Sequence, residues 1–196
     1  MKTYLENIKT EINNFIDDID VDAINAAVQL INEAKKNNNR LHMSGIGKPS
    51  YVAAYGASLI SSTGTPAYVL DGTEAVHGSS GQLVEGDVVI CISNSGETQE
   101  LLATAHAILN NGCKIIAITS NPESSLAKLA EIHIQAKVEQ EGGPLNRAPR
   151  SSIIAELIVV QQLSVELQES CDLSVKEYLQ RHPGGSLGKL RENEKI

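Results

Sequence analysis

Residues Val88-Val89-Ile90-Cys91-Ile92-Ser93-Asn94-Ser95-Gly96-Glu97-Thr98 decide the fold of this chain. The first five form a short continuous apolar run, the pattern of a strand buried on both faces of a parallel sheet. A polar turn follows at once, and Leu101, Leu102, Ala105, Ile108 and Leu109 then recur at helical spacing. Strand, polar turn and helix make one unit of an α/β fold, with the turn at the carboxyl end of the strand, where open α/β sheets bind ligands. Ser93, Ser95 and Thr98 bring three hydroxyls beside the free N–H groups of a helix start, and Gly96 lets the backbone come close to a ligand. Such a turn can hold a phosphate without a cationic side chain. A plainer role suits the same residues: Ser95 as an N-cap and Glu97 as a complement to the helix dipole.

The same alternation extends on both sides. Leu41–Ser44 reads as a first strand, and Gly45-Ile46-Gly47-Lys48 as a tight glycine turn into a helix that runs to about Ser62. Pro49 falls where a first-turn proline is welcome. The turn lacks the third glycine of a dinucleotide fingerprint and the glycine spacing of a P-loop. Ala67–Leu70 is a second strand, with Glu74-Ala75-Val76-His77-Gly78 in the connection that follows it. Asn111-Gly112 ends the central helix. Lys114–Ile118 is a fourth strand, Ser124-Ser125 opens a short helix and Ile132–Ile134 is a fifth strand. Strands alternating with helices predict a three-layer α/β/α domain around a parallel sheet of about five strands.

Before the sheet, Leu5, Ile8, Ile12 and Phe15 mark one amphipathic helix. Ile24, Val28 and Ile31 mark a second, with Asp22 as its expected cap. Residues 1–39 therefore read as a helical arm for packing or oligomerisation, 40–190 as the domain and 191–196 as a tail. Glu139–Arg150 carries two prolines and two glycines with no apolar period; loops of that length inside a compact domain are more often functional than idle. Ser151–Gln168 is predicted to be a helix, apolar on most sides and buried in the core or an interface. A last helix, about Ser174–Arg181, leads into His182-Pro183-Gly184-Gly185.

The chain has 196 residues, 3% aromatics and a formal net charge of −8, with a pI near 5.1. That balance argues against nucleic acid or an anionic membrane as the main partner. The three cysteines, Cys91, Cys113 and Cys171, are an odd count with no metal-type spacing, and Cys91 and Cys113 fall in apolar strand-like runs, which suits buried free thiols in a reducing cytoplasm. No apolar run approaches the 20 or so residues of a membrane span, and no signal peptide is evident.

Taken in order, the segments Gly45–Lys48, Ser62–Pro66, Glu74–Gly78, Ile92–Thr98, Asn121-Pro122 and His182–Gly185 resemble the sugar isomerase (SIS) domain of D-arabinose 5-phosphate isomerases. The likeness runs from about Leu41 to Leu190, and Val138-Glu139 before the Pro-rich loop belongs to it. It implies a flavodoxin-like sheet, a dimer or tetramer with sites near subunit interfaces, and interconversion of D-arabinose 5-phosphate and D-ribulose 5-phosphate without metal or organic cofactor. Many members carry a C-terminal pair of CBS domains, which this chain is expected to lack.

Moving a hydrogen between adjacent sugar carbons through an enediol needs a base, a group that opens the ring and a donor for the developing oxyanion. The resemblance implies Glu97 and Glu139 as bases, Lys48 for the enediolate or the phosphate, His182 for ring opening, from the same or a neighbouring subunit, and His77 as a lining group. It implies that Gly45, Gly47, Ser93, Asn94, Ser95, Thr98, Arg150, Ser151 and Ser152 bind the substrate. His42, His106 and His133 match no motif and read as ordinary strand or surface histidines. Plain roles compete throughout: a solvated loop carboxylate for Glu139, an exposed lysine for Lys48, turn histidines for His77 and His182. Two stretches depart from the family pattern. Gly47-Lys48-Pro49-Ser50 stands where Gly-Lys-Ser-Gly is usual, and Arg150-Ser151-Ser152-Ile153 where a Thr-Ser-Ser-Thr-like run is usual. Arg147 and Arg150 add cations that could hold a phosphate or a second anionic group. A non-catalytic sugar-phosphate sensor and an isomerase for a hexulose or heptulose phosphate are the competing readings.

Overall fold

The computed structural model describes residues 3–192 and 194. Its helices are α1 (Tyr4–Asp17), α2 (Val21–Lys36), α3 (Lys48–Ser62), α4 (Gln99–Asn110), α5 (Ser125–Leu129), α6 (Ser151–Glu169) and α7 (Val175–Arg181). Its strands are β1 (Leu41–Gly45), β2 (Ala67–Val69), β3 (Val88–Ile92), β4 (Lys114–Thr119) and β5 (Ile132–Gln135), and two short 3₁₀ turns, Glu74–His77 and Ser79–Gln82, lie between β2 and β3. The strands pair in parallel in the order β2-β1-β3-β4-β5. From β1 the chain first steps outward to β2. It then returns to lay β3 on the other side of β1, with Gly45 opposite Ile92 at their carboxyl ends. That reversal opens a crevice between β1 and β3, the switch point at which doubly wound sheets bind ligands.

Strand periodicity divides the core in two. Leu41, Met43, Ile90, Ile92, Ile116 and Ile118 belong to a cluster with α1, α2, α3 and α6. Val89, Cys91, Ile115 and Ala117 belong to a second, with Leu101, Ala105 and Ile108 of α4 and Leu126 of α5. The expected three-layer α/β/α architecture, with a five-stranded parallel sheet, is thus the observed one. β1 and β3 are buried along their whole length, as continuous apolar runs require. Burial pushes the Cys91 thiol up to about 12 and the Cys113 thiol up to about 11, so both are inert core atoms.

The N-terminal segment packs on the same layers. Ile24, Ala27 and Ile31 of α2 are in the core cluster, and α1 touches α6. The cap of α2 is Asp20, whose Oδ1 accepts the Ala23 N–H at 2.9 Å, and not Asp22. The helix starts earlier than its first apolar position suggests, which leaves Asp22 in the first turn as a dipole complement.

His42 is also not an ordinary strand histidine. It is buried, with Nε2 donating to Asp87 Oδ2 at 3.1 Å. Asp87 also accepts the N–H of Arg40 at 2.8 Å and of Val84 at 3.0 Å, so one carboxylate ties β1 to β3 at the edge opposite the crevice. Burial pulls the His42 pKa down against the pull of Asp87. His133 is half-buried, with Nε2 2.9 Å from Thr119 Oγ1. Among the described residues no helix is long and apolar enough to cross a membrane.

Candidate active site

Two turns meet at the carboxyl ends of β1 and β3. In the first, a side chain on Gly45 would press within 2.8 Å of the Pro49 carbonyl carbon, and Gly47 sits at φ +66° as the N-cap of α3. Both positions favour glycine, because the helix folds back directly over the strand end. Lys48 follows as the first helical residue. It is exposed and has no carboxylate partner among the described residues.

In the second turn, Ser93 Oγ accepts the Gly96 N–H at 3.2 Å and lies 3.3 Å from Thr98 Oγ1. Ser95 Oγ accepts the Glu97 N–H at 3.2 Å. The N-cap of α4 is Thr98 and not Ser95, and its hydroxyl makes no capping bond to the helix. Gly96 has φ +67°, and a β-carbon there would collide with Ser124 Oγ. The Asn94 carbonyl accepts both the N–H and the hydroxyl of Ser120, at 2.9 and 2.7 Å, which fastens the turn to the end of β4.

Glu97 does not complement its own helix. Its Oε1 accepts the Ser125 N–H at 2.8 Å, at the start of α5, and that bond holds its carboxyl below the usual range. A carboxylate stabilised this way is a poorer base. The connection after β2 folds over the same edge, with Gly72 against Ser44 and Ile46 and the Glu74–His77 turn against α4. His77 is exposed there.

The third wall is the start of α6. Glu141 Oε2 accepts the N–H of Arg150 at 2.6 Å and of Ser152 at 3.2 Å, taking over free donors of the helix N-terminus. Pro149 and Ile153 line a groove of about 570 Å³ with Lys48, Tyr51, Tyr55 and Leu157. The α6 N-terminus and the β1 turn therefore border one surface.

Several expected site residues are not brought there. The Glu139 side chain is exposed and pairs with Lys137 Nζ at 2.8 Å, while its N–H is held by Glu11 of α1 at 2.7 Å. The Arg150 guanidinium donates to the carbonyls of Gly142, at 3.2 Å, and Ala148, at 3.4 Å, within its own loop. Arg147 is exposed. His182 Nδ1 donates to the Tyr178 carbonyl at 2.8 Å and its ring stacks on Tyr178 at 4.1 Å. That segment packs beside Thr63 and Gln168, the far ends of α3 and α6. His182 thus packs with a residue that lines the cavity at the end of α3 away from Lys48.

Sequence reasoning misses two residues. Glu141 shares one loop with Glu139, and nothing in the loop's composition sets the two apart. Glu156 lies in a helix that reads as apolar nearly all round, yet it is buried on the inner face with Ser151, Ser152 and Ser164, while Ile153, Ile154, Leu157 and Ile158 are only half-buried. Its signal is its place four residues after Ser152, on one helical face. Five polar side chains with buried atoms and no partner among the described residues belong to this end. They are Ser44 and Asn94 at the ends of β1 and β3, and Ser151, Ser152 and Glu156 in the first turns of α6. Native proteins leave few buried polar atoms unpaired, and functional sites are where they concentrate.

A family model described as SIS domain matches residues 35–166. The arabinose 5-phosphate isomerase KdsD of Pseudomonas aeruginosa is 39% identical over 150 residues, 76% of this chain and 46% of that protein. The Francisella tularensis protein of the same name is 37% identical over 163 residues, 83% of this chain and 50% of that protein. The chain thus spans about half the length of these curated relatives. Among solved structures, the E. coli CFT073 protein c3406 in complex with arabinose 5-phosphate superposes with a TM-score of 0.82 at 32% identity, covering 92% of this chain and 94% of that one.

Proposed function

The chain belongs to the SIS domain family, and from that premise we propose that it is a sugar-phosphate aldose–ketose isomerase interconverting D-arabinose 5-phosphate and D-ribulose 5-phosphate. The observation that carries this reading is the meeting, at the β1/β3 switch point, of a hydroxyl-rich helix-start turn with a lysine and the carboxylate-capped start of α6. Ser93, Ser95, Thr98 and the N-terminal amides of α4 hold the phosphate. With the sugar chain extended toward α6, a carboxylate takes the proton from C2 of the open-chain aldose. The pair left behind forms the C1–C2 double bond of an enediolate, and Lys48 stabilises its oxygen. A proton then returns to C1 while one passes from O2 to O1, so the ketose is formed without net loss or gain.

Glu141 is the carboxylate we assign to this step by its place: like Glu97 it accepts backbone N–H groups, but it does so at the start of α6, whose Pro149 and Ile153 share a groove with Lys48, while Glu139 is turned to solvent beside Lys137. His182, stacked on Tyr178 beside the far ends of α3 and α6, serves the crevice of a second copy, which makes a homo-oligomer part of the proposal. The apolar groove between α3 and α6, beside Lys48, is the surface on which that copy would sit. Free thiols suit a cytoplasmic setting.

The test is an NMR assay in D₂O with D-arabinose 5-phosphate, D-ribulose 5-phosphate and a panel of hexose and heptose phosphates. Conversion of the pentose pair with deuterium incorporation is expected, and conversion of another pair alone would replace the substrate. A second reading, a non-catalytic sugar-phosphate sensor, draws on the engagement of the Glu97 and Glu139 carboxylates elsewhere. Binding without any deuterium exchange would establish it.

A further inference from the structure

Glu156 is the one acidic side chain on the buried face of α6, and it is fully buried. Ser152, Val159, Val160 and Leu163 flank it on the helix surface, so it lies in the middle of the packed stripe. Among the described residues neither carboxyl oxygen has a hydrogen-bond partner. A carboxylate in such a place is costly, and the group escapes the cost by staying protonated. Among the described residues, the elements packed against it supply no cation. The buried faces of α2 (Ile24, Ala27, Ile31) and α3 (Val52, Ala53, Ala57) are apolar, as are the residues of β1, β3 and β4 in the same core. Glu11 of α1 is committed to the N–H groups of Glu139 and Gln140. The charged neighbour that acts on it is Glu141, which repels the ionised form. Glu141 is bound to the N–H of Ser152, one helical turn before Glu156.

We propose that Glu156 is a positioning residue of the crevice, a protonated, neutral acid one helical turn beyond the Glu141 carboxylate that keeps a single negative charge at the start of α6. When Glu156 gives up that proton, two carboxylates face one helix terminus. The grip of Glu141 on the Arg150 and Ser152 amides then weakens, and the 139–150 loop loosens. When Glu141 takes a proton, as a base must, the charge is free to appear on Glu156, which eases that transfer. Burial with Glu141 as neighbour places the ionisation of Glu156 at about 8, within reach of ordinary solution conditions.

As a statement about catalysis this rests on the isomerase reading; as a statement about the pair it does not, and the experiment separates them. The side-chain carboxyl carbons are followed by NMR from pH 5 to 10 in the full chain, with the protection of the Arg150 and Ser152 amides against hydrogen exchange measured alongside. In the wild type, Glu156 should titrate near pH 8 and amide protection should fall roughly tenfold or more across that transition. Glu141→Gln should lower the Glu156 midpoint by roughly a unit, as coupled sites do. Glu156→Gln, neutral and nearly isosteric, should keep its amide protection above pH 8. If the enzyme is active, it should also lose the alkaline fall in kcat while KM stays near the wild-type value. A Glu156 midpoint below pH 6, or one that Glu141→Gln leaves in place, would overturn the pairing whatever the activity proves to be. Wild-type amide protection that stays constant through pH 8 would overturn the positioning role.

Discussion

At the residue scale, the loop glutamates Glu97, Glu139 and Glu141 are told apart by what each carboxylate touches. Glu97 accepts an α5 amide, Glu139 meets Lys137, and Glu141 caps α6. Replacement by glutamine should therefore separate them. Glu141→Gln is expected to lower kcat by about 10²–10⁴-fold with KM little changed, and Glu139→Gln to leave both within about twofold; steady-state kinetics on the pentose phosphates checks this. Equal loss in the two variants would return the base to Glu139. Glu156 gives a stability prediction that needs no substrate. Its folded pKa of about 8 lies above the ordinary value of 4.5, so between those values the folded state holds a proton that the unfolded state has lost. Stability should fall as pH rises from about 5 to 8 and then level off. Glu156→Gln should remove that component, so its Tm advantage over wild type should grow across the same interval in calorimetry.

At the scale of elements, the site depends on how each helix begins. Gly96 holds a left-handed backbone and leaves no room for a methyl group against Ser124. Gly96→Ala should cost more than about 1 kcal/mol in urea unfolding, from strain alone, and should also abolish sugar-phosphate binding in calorimetry, because the turn and α5 must move apart. Gly47 also has a positive φ, but a β-carbon there meets nothing within 4 Å, so Gly47→Ala should lose stability and keep more of its binding. Helix α6 carries its information in one stripe. Its inner face pairs Leu163 and Val160 with Glu156 and three serines, a composition that packing alone would not select.

At the scale of the whole molecule, the sheet puts the crevice at one end and His182 at the other. A chain that needs both must associate. Sedimentation at micromolar concentration should give a species larger than the 21.0 kDa monomer. His182→Ala and Glu141→Gln, each weakly active alone, should recover part of the wild-type activity when subunits are mixed and exchanged, because some crevices would then combine an intact Glu141 with an intact His182. A stable monomer with full isomerase activity would exclude the shared site.

The sequence by itself determined the sheet. Five short strand-like runs, three of them followed directly by a polar or glycine turn and a helix, led to five parallel strands within a residue or two of their observed limits. That information is local: burial of a strand on both faces and the glycine needed at a strand-to-helix turn are written in consecutive residues. The two turns of the crevice, Gly45–Lys48 and Ser93–Thr98, were legible for the same reason. Only the tertiary structure decided the rest. Strand order brought those turns together, and nothing in either turn encodes its neighbour. Side-chain direction turned Glu139 outward and Glu141 inward from one loop, and settled Glu97 on α5. The placement of α7 at the far ends of α3 and α6 removed His182 from its own crevice. Glu156 looked like one charge in an apolar helix, and it became a buried acid only when α2, α3 and the sheet closed over it, because desolvation is a property of the packed interior and not of the residue.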